Sequence, residues 1–484
     1  MKIAIAYPPL TSGKGAPLLS QNRQFQWFNR PTYIYPVVPA CAATMAKAAG
    51  HAVTWLDGIA SEMQQGEFLA ALAEAAPDLV LIETKTPVVH ATWDWVATIK
   101  RHLPGTLVAI CGDHVTALPR ETMEGSEADY VLTGGDYDFL LVNLAAHIED
   151  ETVALEPGIW FRGKDGEPVS TGLFQLDHDL NAMPRIDREL TQWRRYSVRN
   201  GNYRRTPGAY IMAGRDCWHG RCTFCSWTTL YPSYRTRTPE SVADEVGELI
   251  EKFGVREIMD DTGCFPVGDW LRRFCAIMIE RGYSRKVYFD CNMRFGALSA
   301  DDYALMKKAG FRFVLFGLES ANQATLDLVH KRLKVEEIRE GARLASAAGL
   351  DVHVTVMLGY PWENAVEIER TVGLARELLR RGWAYTLQAT MIVPYPGTPL
   401  FRECREKGLL LTERGEDYDM RTQIMRTPVP AEDIRRAIRR IYHGFLHPLA
   451  LWNWLAHTRH PLEDARFYIR GALSLLGHLK DFGS

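Results

Sequence analysis

The chain has 484 residues, of which 46% are hydrophobic and 24% are charged, a composition typical of a soluble globular protein with two or three domains. Its formal net charge of −3 gives no overall attraction to nucleic acid or to anionic lipid, so such a partner would need a local patch. The default expectation is therefore a small-molecule substrate and no nucleic-acid partner.

The first residues, MKIAIAYPPL, lack the basic flank and cleavage site of a signal peptide. No apolar run approaches the ~20 residues that span a bilayer, so we expect a cytoplasmic protein. Nine cysteines are an odd number, and six of them are scattered without a pairing rhythm, which argues against a disulfide framework. These six are Cys41, Cys111, Cys264, Cys275, Cys291 and Cys404.

Residues 1–150 alternate predicted strands and helices. The apolar runs KIAIAY, AVTWLD, DLVLIE, TLVAICG and ADYVLTG predict a five-stranded, parallel, doubly wound sheet of Rossmann-like type. Such sheets bind ligands at the carboxyl ends of their strands. Those ends carry Gly112, Gly134 and Gly135, where the backbone can approach a ligand closely. No GxGxxG follows the first strand, which weakens a dinucleotide interpretation.

Residues 151–207 form a predicted connector. The segment GIWFRGKDGEPVSTG predicts a hairpin that turns at residues 164–166. A polar linker follows it, and neither part predicts any chemistry.

Residues 208–400 contain a second alternating series. Its strands are predicted near GAYIMA, REIMD, KVYFD, RFVLFG, VHVTVML and TLQATMIV, so this α/β region is expected to form a partial (β/α)6 barrel of TIM type. Thr238 and Pro239 predict the start of its first helix and Gly254 its end.

Residues 401–484 are predicted to be helical. Ile434, Ile438 and Ile441 line one face of a helix that also carries several arginines. Such a helix can lie on a membrane surface or cover the open side of the barrel, and we favour the second account over membrane contact.

Three cysteines, Cys217, Cys222 and Cys225, follow the first strand of the predicted barrel in GRDCWHGRCTFCSW. Catalytic groups of parallel barrels lie on loops in such positions. A structural zinc site usually has four ligands, which His219 or a distant cysteine would have to complete. A cluster that only transfers electrons normally has four thiolates. Three thiolates in one loop instead favour a [4Fe-4S] cluster with one iron left open to an amine and a carboxylate.

Further motifs lie along the chain, and they are GDHVTALP, TFC, MDD at 259–261, GLES at 317–320, MLGYPWE at 357–363 and PYPGTPLF at 394–401. Together with the three cysteines, they resemble the radical SAM enzymes that carry an N-terminal cobalamin-binding-type domain. The resemblance covers nearly the whole chain. One spacing departs from it, since four residues instead of three separate Cys217 from Cys222. We expect the extra residue to bulge outward without moving the thiolates.

The resemblance implies that the three cysteines bind a [4Fe-4S] cluster, whose open iron binds S-adenosylmethionine (SAM) and cleaves it to a 5'-deoxyadenosyl radical. It implies that Phe224 packs beside the adenine of SAM and that Glu319 and Ser320 contact its polar groups. Arg294 is expected either to pair with the SAM carboxylate or to form a salt bridge at the barrel end. Asp260 and Asp261 would polarise the cofactor or substrate or cap the next helix, and capping is favoured for at least one of them.

Cobalamin is the second cofactor that the resemblance implies. The Asp-x-His-x-x-Gly pattern is absent, because Asp113 and His114 are adjacent, so cobalt is expected without a protein histidine beneath it. The nucleotide tail is predicted near Gly112, Gly134 and Gly135. The alternative is a domain that keeps the fold without the cofactor.

The resemblance further implies methyl transfer to an unactivated carbon, with cyclisation, oxidation or rearrangement without methyl transfer as the alternative. An external electron donor such as flavodoxin or ferredoxin is also implied. No single catalytic residue is assigned, and no motif identifies the substrate.

Overall fold

The computed structural model describes residues 1–10, 12–19, 25–28, 32–201, 203–456 and 461–481. The strands are β1 (Lys2–Tyr7), β2 (Ala16–Leu18), β3 (Gln26–Phe28), β4 (Ala52–Asp57), β5 (Leu79–Glu83), β6 (Leu107–Cys111), β7 (Tyr130–Leu132), β8 (Ile159–Arg162), β9 (Pro168–Ser170), β10 (Gly208–Ile211), β11 (Gly214–Arg215), β12 (Arg235–Thr236), β13 (Glu257–Asp260), β14 (Tyr288–Met293), β15 (Phe311–Glu319), β16 (Asp351–Leu358) and β17 (Thr386–Met391). The helices are α1 (Val37–Ala48), α2 (Gln65–Ala75), α3 (Val89–His102), α4 (Asp113–Ala117), α5 (Pro119–Gly125), α6 (Tyr137–Glu149), α7 (Trp227–Leu230), α8 (Pro239–Glu251), α9 (Asp269–Glu280), α10 (Ala300–Lys308), α11 (Gln323–Leu328), α12 (Val335–Ala347), α13 (Ala365–Arg380), α14 (Pro399–Glu406), α15 (Ala431–His443), α16 (Pro448–Ala456) and α17 (Pro461–Asp481).

The N-terminal sheet has the strand order β4-β1-β5-β6-β7-β8-β9, and its first five strands are parallel as predicted. Alternate residues of β1 serve opposite faces. Ile3 and Ile5 pack in the core that contains α1 and α6, whereas Ala4 and Ala6 pack in the core that contains α2 and α3. This is the two-layer burial of a doubly wound sheet.

The predicted hairpin is β8–β9, and it extends the N-terminal sheet. Strand β8 pairs antiparallel with β7, so that Val131 lies opposite Trp160. The sheet therefore has seven strands where the sequence predicts five. Local periodicity predicts a strand but carries no information on which distant edge it covers, and here β8 covers the edge of β7.

The barrel sheet has the strand order β10-β13-β14-β15-β16-β17, with every neighbouring pair parallel, which confirms the six-stranded partial barrel. Helix α8 begins as predicted, because the Thr238 side chain accepts a hydrogen bond from the Ser241 amide and Pro239 occupies the first turn. Gly254 follows the helix with a φ of 65°. Every second residue of β15, such as Phe313 and Leu315, lines the barrel lumen.

A buried ion cluster lies where the barrel strands begin. The Arg312 guanidinium is 2.7 Å from Glu257, 2.9 Å from Asp290 and 3.2 Å from Asp351. These residues lie near the amino ends of β13 to β16, opposite the end at which parallel barrels carry catalytic groups. We therefore assign these ion pairs a structural role and no catalytic one.

Helix α15 has a fully buried apolar face that contains Ile434, Ile438 and Ile441. It packs against α13 and β17, so it covers the last barrel strand. Within the described part of the chain, no helix combines the length and apolarity needed to cross a bilayer.

Candidate functional site

The three cysteines lie on the loop between β11 and α7, at the mouth of the barrel. All three are half-buried free thiols, and they line a cavity of about 470 Å³ that continues into the barrel lumen. The structure thus brings together three thiols and a cavity large enough for a small organic molecule.

The PYPGTPLF segment anchors this loop. The Leu400 amide donates to the Thr223 carbonyl oxygen at 2.9 Å, and the Thr223 amide donates to that of Val329 at 3.1 Å. Gly397 packs so closely on Thr229 that a β-carbon there would lie 2.7 Å from its methyl group. This segment therefore supports the turn that carries Cys222 and Cys225.

The long gap between Cys217 and Cys222 is held in a turn, with Gly220 at a φ of 53°. Trp218 donates from Nε1 to the Phe265 carbonyl oxygen at 3.2 Å, and His219 donates from Nε2 to that of His330 at 2.8 Å. Two of the four gap residues, Trp218 and His219, thus bind neighbouring loops through their side chains. Within the residues that the structure describes, no group of three or more His, Cys, Asp or Glu is arranged to hold a single metal ion.

The thiols differ in acidity. A hydrogen bond with the Cys264 thiol, followed by the backbone amides of Gly220 and His219, lowers the pKa of Cys217 to about 6. Burial raises the pKa of Cys222 to about 11 and that of Cys225 well above its usual value. Buried thiols become thiolates when they bind metal, because the bound cation replaces the lost solvation.

Arg294 lies just after β14, and its side chain reaches the cavity wall. One guanidinium nitrogen donates to the Arg332 carbonyl oxygen. The other terminal nitrogen, Nη1, is buried and has no hydrogen-bond partner among the described residues. A buried, incompletely paired guanidinium is costly, so this site is suited to an anionic ligand group.

Glu319 ends β15 in the cavity wall with a φ of 62°, a strained conformation for a residue with a side chain. Its Oε1 lies 2.6 Å from Nζ of Lys331, and Glu319 keeps the pKa of Lys331 raised although burial opposes this. A β-carbon on Gly317 would lie 2.0 Å from the same Oε1. The glycine of GLES therefore makes room for the ion pair, in which Lys331 is a site residue that sequence reasoning missed.

Phe224 and Ser320 have different surroundings. Phe224 is buried in the cavity wall beside Met357 and Tyr360. Ser320 is fully buried and donates to Glu363 at 2.6 Å, so the structure does not bring its hydroxyl to the cavity.

Asp260 and Asp261 do not cap the next helix. Helix α9 begins at Asp269, with Gly268 at its N-cap position, so the favoured capping prediction is wrong. Asp260 accepts hydrogen bonds from the amides of Ala213 and Thr262, and burial raises its pKa to about 7. It ties the loops after β10 and β13 together.

The rest of the cavity is largely apolar. Its far end is lined by the β2–β3 hairpin, by the barrel lumen and by α17, through Leu18, Phe28, Phe313, Leu387, Phe467 and Leu475. Polar side chains also line this part of the cavity, and four of them lie on β16 and β17, namely His353, Thr355, Gln388 and Thr390. A ligand with an apolar body and few hydrogen-bonding groups matches this lining.

A second cavity, of about 550 Å³, lies at the N-terminal sheet. It is lined by Pro9 and Leu10 after β1 and by Pro87 and Val88 after β5. These two strands are neighbours at the point where the strand order reverses, which is where doubly wound sheets bind ligands. Trp27 lines both cavities, so the two cavities share a wall at this residue.

The three glycines predicted to border a nucleotide tail lie against the protein's own atoms. A β-carbon would lie 2.1 Å from the Thr84 carbonyl oxygen at Gly112, 2.5 Å from the Phe174 ring at Gly134 and 1.8 Å from the Tyr231 ring at Gly135. Tyr231 directly follows α7 in the C-terminal α/β region, so Gly135 allows close contact between loops of the two sheets.

A buried ion cluster joins the N-terminal sheet to the cysteine loop. Arg215, two residues before Cys217, donates to Asp136 and Asp138, at 2.8 Å in each case. Arg235 and His178 also bind Asp136. The connector, for which no chemistry was predicted, therefore supplies one residue of this cluster.

We expect the stabilising effect of His178 to depend on pH. Hydrogen bonds to Asp136 and Glu156 raise the pKa of His178 from 6.5 to about 9, so its contribution is complete below pH 6.5 and is lost as the pH rises through 9. The His178→Gln variant should lose more Tm relative to the wild type at pH 6 than above pH 9, where only the stacking of the His178 ring on Phe139 is still lost. A Tm difference that is constant over this range would contradict the assignment.

Comparison with known proteins bears on both cavities. The family model described as the radical SAM superfamily matches residues 211–375, which contain the cysteine loop, Arg294 and Glu319. The B12 binding domain matches residues 29–139 of the N-terminal sheet. The chain thus contains a radical SAM domain and a B12-binding domain.

The chain has relatives of two kinds. It is 28% identical to the anaerobic magnesium-protoporphyrin IX monomethyl ester cyclase of Cereibacter sphaeroides, over 73% of the chain and 57% of that protein. It is 24% identical to the hopanoid C-3 methylase of Methylococcus capsulatus, over 80% of the chain and 72% of that protein. The chain thus spans little more than half of the cyclase.

The fold agrees with a solved structure over its full length. The radical SAM methyltransferase TsrM of Kitasatospora setae, described with cobalamin and a [4Fe-4S] cluster bound, superposes with a TM-score of 0.69. The match covers 98% of this chain and 99% of TsrM, at 16% identity, so it shows the fold.

Proposed function

We propose that the protein is a cobalamin-dependent radical SAM enzyme that transfers a methyl group to an unactivated carbon of an apolar small molecule. The observation that carries the proposal is the placement of three half-buried thiols, an incompletely paired arginine and a buried Glu–Lys pair around one cavity. That cavity adjoins a second one at the switch point of a B12-binding sheet.

The cysteine loop fits the cluster. The three cysteines line one cavity, so their thiolates would bind three irons of a cluster, and the cavity beside them would have space for SAM at the fourth iron. When bound, the cluster supplies the electron that cleaves SAM to a radical, and cobalamin supplies the methyl group. An external one-electron donor such as flavodoxin or ferredoxin, and a cytoplasmic location, remain predictions that fit this chemistry.

The cavity side chains would hold SAM. Arg294 presents Nη1 to the carboxylate, while Glu319 and Lys331 present a carboxylate and an ammonium to its polar groups. Phe224 offers a rigid apolar face for the adenine. Ser320 would act indirectly, through the hydrogen bonds that fix the chain after Glu319.

The N-terminal domain fits part of a corrinoid. The switch-point cavity has the size of a small-molecule site, and Trp95 and Pro87 give it apolar walls beside the polar Gln64 and Lys14. Gly112, Gly134 and Gly135 would then serve the packing beneath the cofactor, since their own neighbours fill the space over them. This domain would present cobalamin toward the first cavity near Trp27.

Replacement of Arg294 by lysine should weaken SAM binding. Lysine keeps the charge but cannot bond a carboxylate through two nitrogens, so we expect the Kd for SAM to rise about tenfold. Equilibrium binding to the anaerobically reconstituted protein measures this. The Arg281→Lys control changes an exposed pair with Asp244 and should leave the Kd unchanged. An unaltered Kd in the Arg294 variant would show that this arginine only braces the loop at Arg332.

The methyl transfer is tested with SAM that carries a deuterated methyl group. The holoenzyme is incubated anaerobically with reductant and an extract of apolar metabolites, and products are sought by mass spectrometry. A product that gains a trideuteriomethyl group supports the proposal. Turnover that yields only unlabelled product sinks it.

Cyclisation without methyl transfer is the second candidate, and the 28% identity to the cyclase favours it. It predicts 5'-deoxyadenosine without S-adenosylhomocysteine. Methyl transfer predicts both compounds in equal amounts during turnover. Their ratio therefore separates the two candidates even when the substrate has not been identified.

A further inference from the structure

The C-terminal helices expose large apolar side chains. Among the described side chains between positions 446 and 476, five large apolar ones are each more than half exposed, and they are Leu446, Leu449, Trp452, Ile469 and Leu476. Isolated exposed apolar residues are ordinary, whereas exposed apolar residues that recur on one helix face form a surface that can bind a partner.

Helix α17 is apolar on two faces. Phe467, Gly471 and Leu475 face the cavity that the three cysteines line. Its exposed positions 465, 469, 472 and 476 recur every three or four residues and are Ala, Ile, Ala and Leu. Such spacing forms one outward stripe. The helix therefore separates an apolar cavity from an apolar outer surface.

The charges around this stripe are basic. Arg466 and Lys480 are exposed near its two ends, whereas Asp464 is buried and binds Arg204 at 2.6 Å. Among the described side chains of α17, every exposed charged one is thus positive. An apolar stripe with basic ends is suited to the interface of an anionic membrane.

We infer that the outer stripe of α17 forms a membrane-docking surface that lies on anionic lipid. The route of an apolar substrate from the lipid past α17 into the cavity follows from it, and this part rests on the proposed function. A second copy of the chain fits less well. A symmetric contact would bring together two surfaces whose described exposed charges, Arg466 and Lys480, are all positive.

Vesicle flotation of the full-length, anaerobically reconstituted protein tests the surface. The probes are vesicles of phosphatidylcholine alone and of phosphatidylcholine mixed with phosphatidylglycerol. We expect the wild type to float with the mixed vesicles. The double variant Ile469→Ser/Leu476→Ser should bind about tenfold or more weakly, because it loses the apolar part of the contact. The double variant Leu173→Ser/Val366→Ser changes equally exposed residues elsewhere and should float as the wild type does.

Formation of 5'-deoxyadenosine in vesicle-free buffer separates this inference from the proposed function. Neither Ile469 nor Leu476 lines the cavity, so all variants should cleave SAM equally. Flotation remains informative even if no variant cleaves SAM. A wild type that does not float, or a stripe variant that floats as well as the wild type, would overturn the docking surface. A wild-type dimer that the stripe variant converts to monomer would instead assign the stripe to a second copy.

Discussion

We expect the Cys222→Ala variant to lose its iron-sulfur cluster and, with it, reductive cleavage of SAM. Two remaining thiols leave a second iron without a protein ligand, so the cluster no longer has a single open position for SAM. The rate of 5'-deoxyadenosine formation should fall at least about 1,000-fold, or ~4 kcal/mol in activation free energy. Iron and sulfide analysis after anaerobic reconstitution measures the first loss, and chromatography of the nucleoside measures the second.

The control for this variant is Cys275→Ala. Cys275 is a buried free thiol on α9 that does not line the cavity. This variant should keep its cluster and its rate of SAM cleavage, although a small loss of stability is expected. If Cys222→Ala kept full iron and sulfide content, the cluster would have to be bound elsewhere in the protein.

The Arg215→Met variant should be strongly destabilised. Arg215 is fully buried and is the guanidinium that compensates Asp138, so its removal leaves a buried carboxylate without a counter-ion. Breaking such a pair costs about 3–5 kcal/mol. Because Arg215 lies two residues before Cys217, iron content should fall as well. Denaturant unfolding of the cluster-free protein measures the free energy of unfolding.

The double variant Asp138→Leu/Arg215→Met provides the matched control. It removes both charges, and Asp136 keeps Arg235 and His178 as partners. Most of the lost stability should return, since no uncompensated charge remains. If the free energy of unfolding of the single Arg215→Met variant lay within ~1 kcal/mol of the wild-type value, the buried ion pairs of Arg215 would contribute little to stability.

The strands and the cysteine loop were accessible from the sequence because their signals are local. The parallel strands of both sheets follow from apolar runs, and α8 follows from Thr238, Pro239 and Gly254. Lys331 was not accessible, because it meets Glu319 only through the turn after α11. The same holds for His178, whose partner Asp136 lies 42 residues away in the chain.

Residues that share a motif do not share a role. Glu319 and Ser320 are adjacent in GLES, but only the first lines the cavity, while the second serves a buried polar cluster. The glycine signal was ambiguous in the same way. A side chain at Gly112 or Gly135 would clash with Thr84 or Tyr231, respectively. Both glycines are therefore needed for contacts within the protein, and neither faces an open ligand site. A sequence shows that a small residue is needed without showing what approaches it.

The exposed apolar stripe lies on a different helix from the one that the sequence pattern indicated. Helix α15 carries isoleucines on one face with arginines around them, yet that apolar face is buried. The exposed stripe lies on α17, where apolar residues occur on both faces and give no clear amphipathic pattern. Only packing distinguishes the face that lines a cavity from the face that meets solvent.

The most direct test of the proposed cofactors is a single reconstitution experiment. The full chain, loaded anaerobically with iron, sulfide and cobalamin, is given SAM and a one-electron reductant, and both SAM-derived products are quantified. The account predicts 5'-deoxyadenosine that requires the cluster, together with S-adenosylhomocysteine that appears only when cobalamin is bound. A colourless protein that binds zinc through the three cysteines and forms neither product would contradict it.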